Sequence, residues 1–471
     1  MQAVLKFGGA ALADGHAIRL AVERVGEWVS VDAGNPYNSG TDSRPIVVVS
    51  ALLGVTDGLG EVARQAVLGP RSARTSMDLA GETVRIRHRS VLSQLGLPSE
   101  LLDRHWRDLR MLLAGIAQRG RLDPQNRDLV LSYGERMSAR IFAAALNMAG
   151  FEATPVDAWD VGLVTDSNHG QARPLQGTGQ AIGSALRSIP GIAVVTGFLA
   201  KDGCGHLTTL GRNGSDLTAS LLAEAAGASE LVFYKDVPGI QSADPRSLPA
   251  AHVLSEVTYA EATELAFHGA QLLHPASLAP AIRAGVAVRF LSFRSGSSGT
   301  RLVARLGRTG PAALAWTRSA LRVRYDLSRP ERRGAKLAAA FKDLESARLT
   351  PTMVSVDGSG LTVYARSGAG APAAATSVDE GFATLALVGH GIGGRAALAA
   401  DAAEVLTGAG LAPLAIQPGG SEHSLVLALE ANQLCAAREI LHRELIVQPE
   451  PVLHGDLPEA SGAGYPPRHG V

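Results

Sequence analysis

Lysine is almost missing from this 471-residue chain: five are present, at positions 6, 201, 235, 336 and 342, against 39 arginines. Cysteine is scarcer still, with Cys204 and Cys435 alone. Two cysteines cannot build a disulfide framework in a chain of this size, which excludes the small stapled scaffolds and favours a reducing compartment. No apolar run reaches 18 residues, so no helical membrane span is expected. The N-terminus has neither a charged start nor a long apolar stretch, so no secretory signal is expected and the location reads as cytoplasmic. An excess of either charge is also lacking, because Lys+Arg and Asp+Glu are 44 each. That balance excludes a global pull towards nucleic acid or a membrane surface. Two nucleotide signatures fail as well. No G-x-x-x-x-G-K-[ST] occurs. GHGIGG (389–394) has the spacing of a dinucleotide loop, but the next strand ends Ile416-Gln417-Pro418, without the acid that holds a ribose, so the segment reads as a tight turn.

What is present is an apolar fraction of 46%, enough for several cores, in a length that fits two to four domains. Through the first 300 residues, apolar β-branched runs alternate with helical patterns. The runs are AVLKF (3–7), PIVVVS (45–50), IAVVTGF (192–198), ELVFY (230–234) and VAVRFLS (286–292), with helical patterns such as 133–149 and 215–227 between them. Continuous apolar strands separated by helices predict a doubly wound, mainly parallel α/β sheet covered on both faces. Past residue 300 the order becomes strand, helix, strand, strand over 320–365, and it repeats over 382–442 after the low-complexity linker GAGAPAAATS (368–377). This is an internal repeat of a small βαββ unit.

Four segments carry candidate chemistry. In TTLGRNGSDLTASLLAEAAGA (208–228), the loop Gly211-Arg212-Asn213-Gly214 feeds a helix opening at Ser215-Asp216. Backbone N–H groups and the helix dipole there favour an anion, and Arg212 adds a planar fork for carboxylate or phosphate. Equally, Ser215 is an ordinary N-cap and Asp216 an ordinary first-turn acid. In VFYKDVPGIQSADPR (232–246), Lys235, Asp236 and Arg246 converge in a loop at a strand's carboxyl end, where open α/β sheets bind ligands. In LSYGERMSAR (131–140), Ser132 and Glu135 fit a capping box before a helix, which explains Glu135 without any substrate. In VVVSALLGVTDGLG (47–60), Ser50 and Thr56 serve equally as caps or as ligand hydroxyls.

As a set, and in this order, the segments resemble the aspartate kinases of the amino-acid kinase superfamily. The likeness runs through LKFGGAALAD, VVVSALLGVTDGL, SYGERMSA, VVTGF, TTLGRNGSDLTA, DVPGIQSADPR, EATELAFHGAQLLHPASL (261–278) and GTRL (299–302). It implies an amino-acid kinase domain over 1–305. It also implies two α+β, ferredoxin-like ACT domains: 315–376, completed by a strand near 445–453, and 378–444; the Pro- and Gly-rich composition beyond them predicts a disordered tail over 454–471. The implied reaction is transfer of the ATP γ-phosphoryl group to the side-chain carboxylate of L-aspartate, the first step towards lysine, threonine and methionine. On this likeness Lys6, Gly8 and Gly9 face the phosphates, with Asp216 orienting Lys6. Ser50, Thr56, Glu135, Arg212 and Ser215 hold aspartate, with Glu135 at its amino group. Lys235, Asp236, Gln241, Arg246 and Gln271 surround ATP, and Mg²⁺ is held by the phosphates with few protein ligands, so no metal motif is expected. Ser421 and Glu422 are implied at an effector site for lysine or threonine, and the ACT units imply a homodimer or larger homo-oligomer.

The chain departs from the family pattern at Ala10 and Ala11, where two hydroxyls are usual, at Asn213 for a glycine, at Gln241 for a tyrosine, and at Gln271 for a lysine. Two other readings therefore stand beside the first: a weakly active or inactive homologue that binds amino acids as a regulator, and a kinase of another small amino-acid carboxylate.

Overall fold

The segment AVLKF forms the strand Ala3–Phe7 in the middle of an eight-stranded sheet. The computed structural model describes residues 2–33, 44–68, 70–270, 275–296, 298–366, 368 and 370–447. Across the sheet the strands run Ala153–Val156, Ile192–Thr196, Ile46–Val49, Ala3–Phe7, Glu230–Lys235, Ala287–Ser292, Thr300–Val303 and Glu256–Thr258. All neighbours are parallel except Ala287–Ser292 with Thr300–Val303. The connection after Phe7 leads to the strand on one side, and that after Lys235 leads to strands on the other. Ligands of open α/β sheets bind at such a reversal, outside the carboxyl ends of the strands.

Every residue of Ala3–Phe7, Ile46–Val49 and Ile192–Thr196 is buried, because helices cover both faces. Alternation divides them between two cores. Leu5, Phe7, Val47 and Val49 pack with the helices Gly15–Ala33, Val55–Ala66 and Pro124–Met148. Val4, Ile46, Val48 and Val195 pack with the helix Gly214–Ala226. Lys6 shares the face of Val4, so it points towards the start of that helix.

The two small repeats share one six-stranded sheet in the order Thr350–Val356, Gly360–Arg366, Gly310–Asp326, Ser377–His390, Ser424–Glu430 and Ala415–Pro418. The long strand Gly310–Asp326 joins the halves, pairing antiparallel with Gly360–Arg366 and with Ser377–His390. It begins ahead of the expected boundary at 315. Each repeat adds a helix, Arg333–Ser346 and Ala396–Gly408, and the second adds Leu434–His442.

Residues 445–447 of the expected returning strand are instead in a π-helical turn, Arg443–Val447. Positions 448–453, the tail 454–471 and Gln271 lie outside the described residues. GHGIGG begins in the last two residues of Ser377–His390 and turns immediately after it, with Gly391 at φ +66. No helix among the described residues is long and apolar enough to cross a membrane.

Candidate active site

The carboxyl ends of four neighbouring strands open onto one cleft of about 440 Å³. After Phe7 come Gly8, Gly9 and Ala10, which line it. Ser50 follows Val49, Phe198 lies just past Thr196, and Lys235 and Asp236 close the strand Glu230–Lys235. Thr56 enters from the first turn of Val55–Ala66, and Glu135 from the middle of Pro124–Met148. Opposite them lies the start of Gly214–Ala226, through Asn213, Gly214, Ser215 and Asp216.

Lys6 Nζ lies 2.6 Å from Asp216 Oδ1, with about a twentieth of each side chain exposed (6% and 5%). The contact is a close ion pair rather than an aligned hydrogen bond. An ion pair this deep is costly to bury and is held by its geometry. A Cβ on Gly8 would lie 3.5 Å from Lys6 Nζ, so glycine keeps the space over the ammonium open. The helix behind Asp216 is entered through Asn213 in the left-handed region (φ +58). Its N-terminus therefore faces the cleft and favours a bound anion. This corrects the capping reading of Ser215: Asn213 occupies the N-cap, and Ser215 and Asp216 sit in the first turn.

Glu135 is likewise no cap. The helix begins at Pro124 behind Asp123, whose side chain accepts the Asn126 N–H. Glu135 is 3% exposed in mid-helix. Its Oε1 accepts the Ala51 N–H at 3.1 Å, while the buried Oε2 has no hydrogen-bond partner. Burial pushes its carboxyl up to about 8, opposed by the Ala51 N–H and by the charge of Lys6. An unpartnered buried oxygen in a cleft wall suits a ligand cation, because an ammonium would supply both the missing bond and the missing charge. Burial pushes the Lys235 ammonium below its ordinary pKa, Asp216 opposes this, and Lys6 adds to it. Two cations thus stand across the cleft floor, and an anion bound between them relieves their repulsion.

Three expected residues lie elsewhere. Arg212 is exposed and does not line the cleft, although Gly211 and Asn213 on either side do. Arg246 folds back onto Asp244, with Nε 3.0 Å and Nη2 3.2 Å from its two oxygens. Gln241 forms a backbone bridge to Val253. Ser421 accepts the His423 N–H and also reaches Glu264, while Glu422 is exposed near His423.

Two cleft residues were not anticipated. Phe198 is held at φ +68, with its N–H on Thr218 Oγ1 and its carbonyl accepting from Leu210. Tyr234 stacks on Phe7 with ring centres 4.8 Å apart, and its hydroxyl accepts the Trp28 indole N–H. Nothing local in the sequence marks Phe198, whose backbone is set by partners that come later in the chain. Among the described residues one trio could chelate a metal, Asp202, Cys204 and His206, at a hairpin turn outside the cleft. Asp202 already accepts the Cys204 and His206 N–H groups and the Ser167 hydroxyl.

Residues 1–292 match the model of the amino acid kinase family. Aspartokinase 2, chloroplastic, of Arabidopsis thaliana is 34% identical over 293 residues, which is 61% of this chain and 51% of that protein. The chain spans about half the length of the Arabidopsis chloroplast aspartokinases it matches. The structure of E. coli aspartokinase III with lysine and aspartate superposes with a TM-score of 0.76 at 26% identity, over 94% of this chain and 99% of that one. The same enzyme with aspartate and ADP gives 0.73 at 27% identity, with the same coverage.

Proposed function

The chain belongs to the amino acid kinase family, and from that premise we propose that it is an aspartate kinase, transferring the γ-phosphoryl group of ATP to the side-chain carboxylate of L-aspartate. The observation that carries this is one cleft with two opposed ends: the Lys6–Asp216 pair at a helix N-terminus, and the buried, unpartnered Oε2 of Glu135. The first end suits phosphate, and the second suits the ammonium of an amino acid.

In the reaction a carboxylate oxygen of aspartate forms a bond to the γ-phosphorus. The bond from that phosphorus to the β–γ bridging oxygen breaks, and its electron pair leaves with ADP. The product, 4-phospho-L-aspartate, is an acyl phosphate. The nucleophile is already an anion, so no side chain has to remove a proton. The described residues lining the cleft accordingly include no histidine. The protein's work is positioning and charge neutralisation.

Lys6 and Lys235 neutralise the phosphate oxygens, Gly8 and Gly9 let the chain approach them, and Asp216 orients Lys6. Ser50, Thr56 and Ser215, which line the cleft, hold the carboxylates of aspartate, and Arg212, exposed beside them, adds a guanidinium fork. Mg²⁺, when bound, spreads charge across the phosphates. Asp236, an exposed carboxylate on the cleft, suits it as a hard oxygen ligand. Gln241 and Arg246 belong to the outer rim of the nucleotide region. Residues 1–305 form the kinase domain, and 310–376 and 377–444 form paired ACT units. E. coli aspartokinase III holds lysine, which supports lysine as an effector at those units in a cytoplasmic homodimer or larger homo-oligomer.

The test is purified full-length protein with ATP, Mg²⁺ and L-aspartate, with hydroxylamine to trap the acyl phosphate. Aspartyl hydroxamate formed in step with ADP is the expected result. ADP release without hydroxamate would overturn the assigned acceptor. Silence in both, with lysine or threonine still bound, would favour the regulatory homologue that Ala10 in the cleft wall suggests.

A further inference from the structure

The helix that carries Glu135 holds a second buried carboxylate that the reaction does not use. Asp128 is 1% exposed and lies seven residues earlier, about two turns away on the same side of the helix. Every bond of its carboxylate leaves the helix. Oδ1 accepts the Thr209 hydroxyl at 2.8 Å. Oδ2 accepts the Thr209 N–H at 3.1 Å and the Gly170 N–H at 2.9 Å, and meets His169 Nδ1 at 3.1 Å. Thr209 ends the short strand Leu207–Thr209, just ahead of the Gly211-Arg212-Asn213 loop. Its carbonyl accepts the Ala172 N–H at 2.9 Å. A Cβ on Gly211, at φ +74, would come within 3.0 Å of the Gly170 carbonyl. The loop around His169-Gly170, the strand and the glycine loop therefore rest on one another, with Asp128 beneath them.

We infer that Asp128 is a positioning residue for the amino-acid substrate: it fixes the distance from Glu135 to the Arg212–Ser215 loop, and with it the length of substrate accepted. The inference rests on the reading that Glu135 and that loop hold opposite ends of aspartate. The rigidity comes from the helix, whose rise per residue is fixed, and from a carboxylate bonded to charge-assisted partners on every side. Alanine at 128 would leave two backbone N–H groups and a hydroxyl without their acceptor. Asparagine would spare most of this. Its carbonyl oxygen can take the backbone N–H groups, while its amide donates to the Thr209 hydroxyl.

The experiment compares full-length wild type, Asp128→Ala and Asp128→Asn. Aspartate and ATP are varied separately, L-glutamate is offered as a longer acceptor, and unfolding is followed in parallel. Asp128→Ala should raise KM for aspartate by about tenfold or more, the size expected when donors to a buried charge lose their acceptor, and should leave KM for ATP within about twofold. Its preference for aspartate over glutamate should narrow. Asp128→Asn should stay close to wild type. Equal rises in both KM values, a lower Tm with unchanged KM, or damage by Asn as severe as by Ala would overturn the inference.

If Asp128→Ala does not fold, Thr209→Val, which removes only the hydroxyl contact, takes its place with the same expected split. Hydrogen exchange separates this inference from the functional reading. If wild type phosphorylates no aspartate, the functional reading falls. Faster exchange in Asp128→Ala confined to 166–172 and 207–215 would still support the strut, and exchange that rises throughout the kinase sheet would overturn it.

Discussion

Lys6 and Asp216 are buried together, so removing either leaves a lone charge in a place that disfavours one. Lys6→Met should cost about 3–5 kcal/mol of stability, as is typical when one side of a buried pair is lost. It should also lower kcat by at least about 10²–10³, the scale of a lost charge-stabilising group. Lys6→Met with Asp216→Asn should recover much of the stability and none of the turnover. Urea unfolding beside hydroxamate formation separates the two effects, and recovered turnover in the double variant would remove Lys6 from the chemistry.

Glu135 gives a pH signature. Its folded pKa, about 8, lies above the ordinary carboxylate value of 4.5 because the group is buried. The native state therefore keeps a proton that the unfolded chain has released. The stability from this group is full below 4.5 and is lost as pH rises through about 8. An ammonium ligand needs the ionised form, so KM for aspartate should fall as pH rises from 6.5 towards 8.5. Glu135→Gln should flatten both trends and raise KM, and an unchanged KM profile would exclude contact with the amino group.

The Lys6–Asp216 pairing was implied by the family resemblance alone; from the residues themselves Asp216 read equally as an ordinary first-turn acid, because its partner lies 210 positions away in the chain. Arg246 is drawn away from the cleft by Asp244, an acid two positions before it that takes its fork within the same turn, a local pairing the sequence reading did not weigh.

At the scale of elements, glycines set how closely the parts of the cleft approach. A Cβ on Gly197 would fall 2.5 Å from Ser215 Cβ and 2.8 Å from its Cα. Gly197→Ala should therefore push the start of the helix Gly214–Ala226 away from the sheet. Overpacking of this kind costs about 1–3 kcal/mol, and here it should also weaken substrate binding. Denaturant unfolding with steady-state kinetics checks both, and a stable variant with unaltered KM would show that the helix start does not matter.

The central strands were legible because both faces are covered, leaving uninterrupted apolar runs. The helix carrying Glu135 was cut short in the sequence reading. Ser132 and Glu135 imitate a cap, whereas the true start, Asp123-Pro124, combines a capping carboxylate with a proline at the first helical position. The burial of the Glu135 carboxyl had no local signal, since the bond to its Oε1 comes from Ala51, far away in the chain.

At the scale of the whole molecule, the six-stranded sheet is fastened to the kinase sheet by side chains and by backbone. The Ser424 hydroxyl donates to Glu264 at 2.7 Å, and Ser242 meets His442 Nε2 at 2.8 Å. Leu314 donates its N–H to the Ser242 carbonyl at 2.7 Å. Burial pushes the Glu264 carboxyl up, but the close approach of His268 (3.3 Å) and the hydroxyls of Ser424 and Ser421 outweigh it and hold the pKa at about 2. A carboxylate held this low stabilises above its ordinary value of 4.5, and that contribution is lost as pH falls through about 2. Ser424→Ala should weaken the junction by about 1 kcal/mol, the net worth of one such bond, and more at neutral pH than in acid. Thermal unfolding at pH 7 and at about pH 2, where the Glu264 carboxylate takes up its proton, reads the difference, and an equal loss at both would free Glu264 of the role.

The repeat itself was visible in the sequence, but the single strand that serves both copies was not. Its pairing runs from Gly310 opposite His390 to Arg324 opposite Ser377. The peptide between Arg366 and Ser377 is thus spanned by a ladder that does not depend on it. Two polypeptides separated at that point should find each other, copurify and regain hydroxamate formation; pieces that elute apart would refute this. Covalent continuity there guarantees equal supply of the two parts, while their shape is set elsewhere.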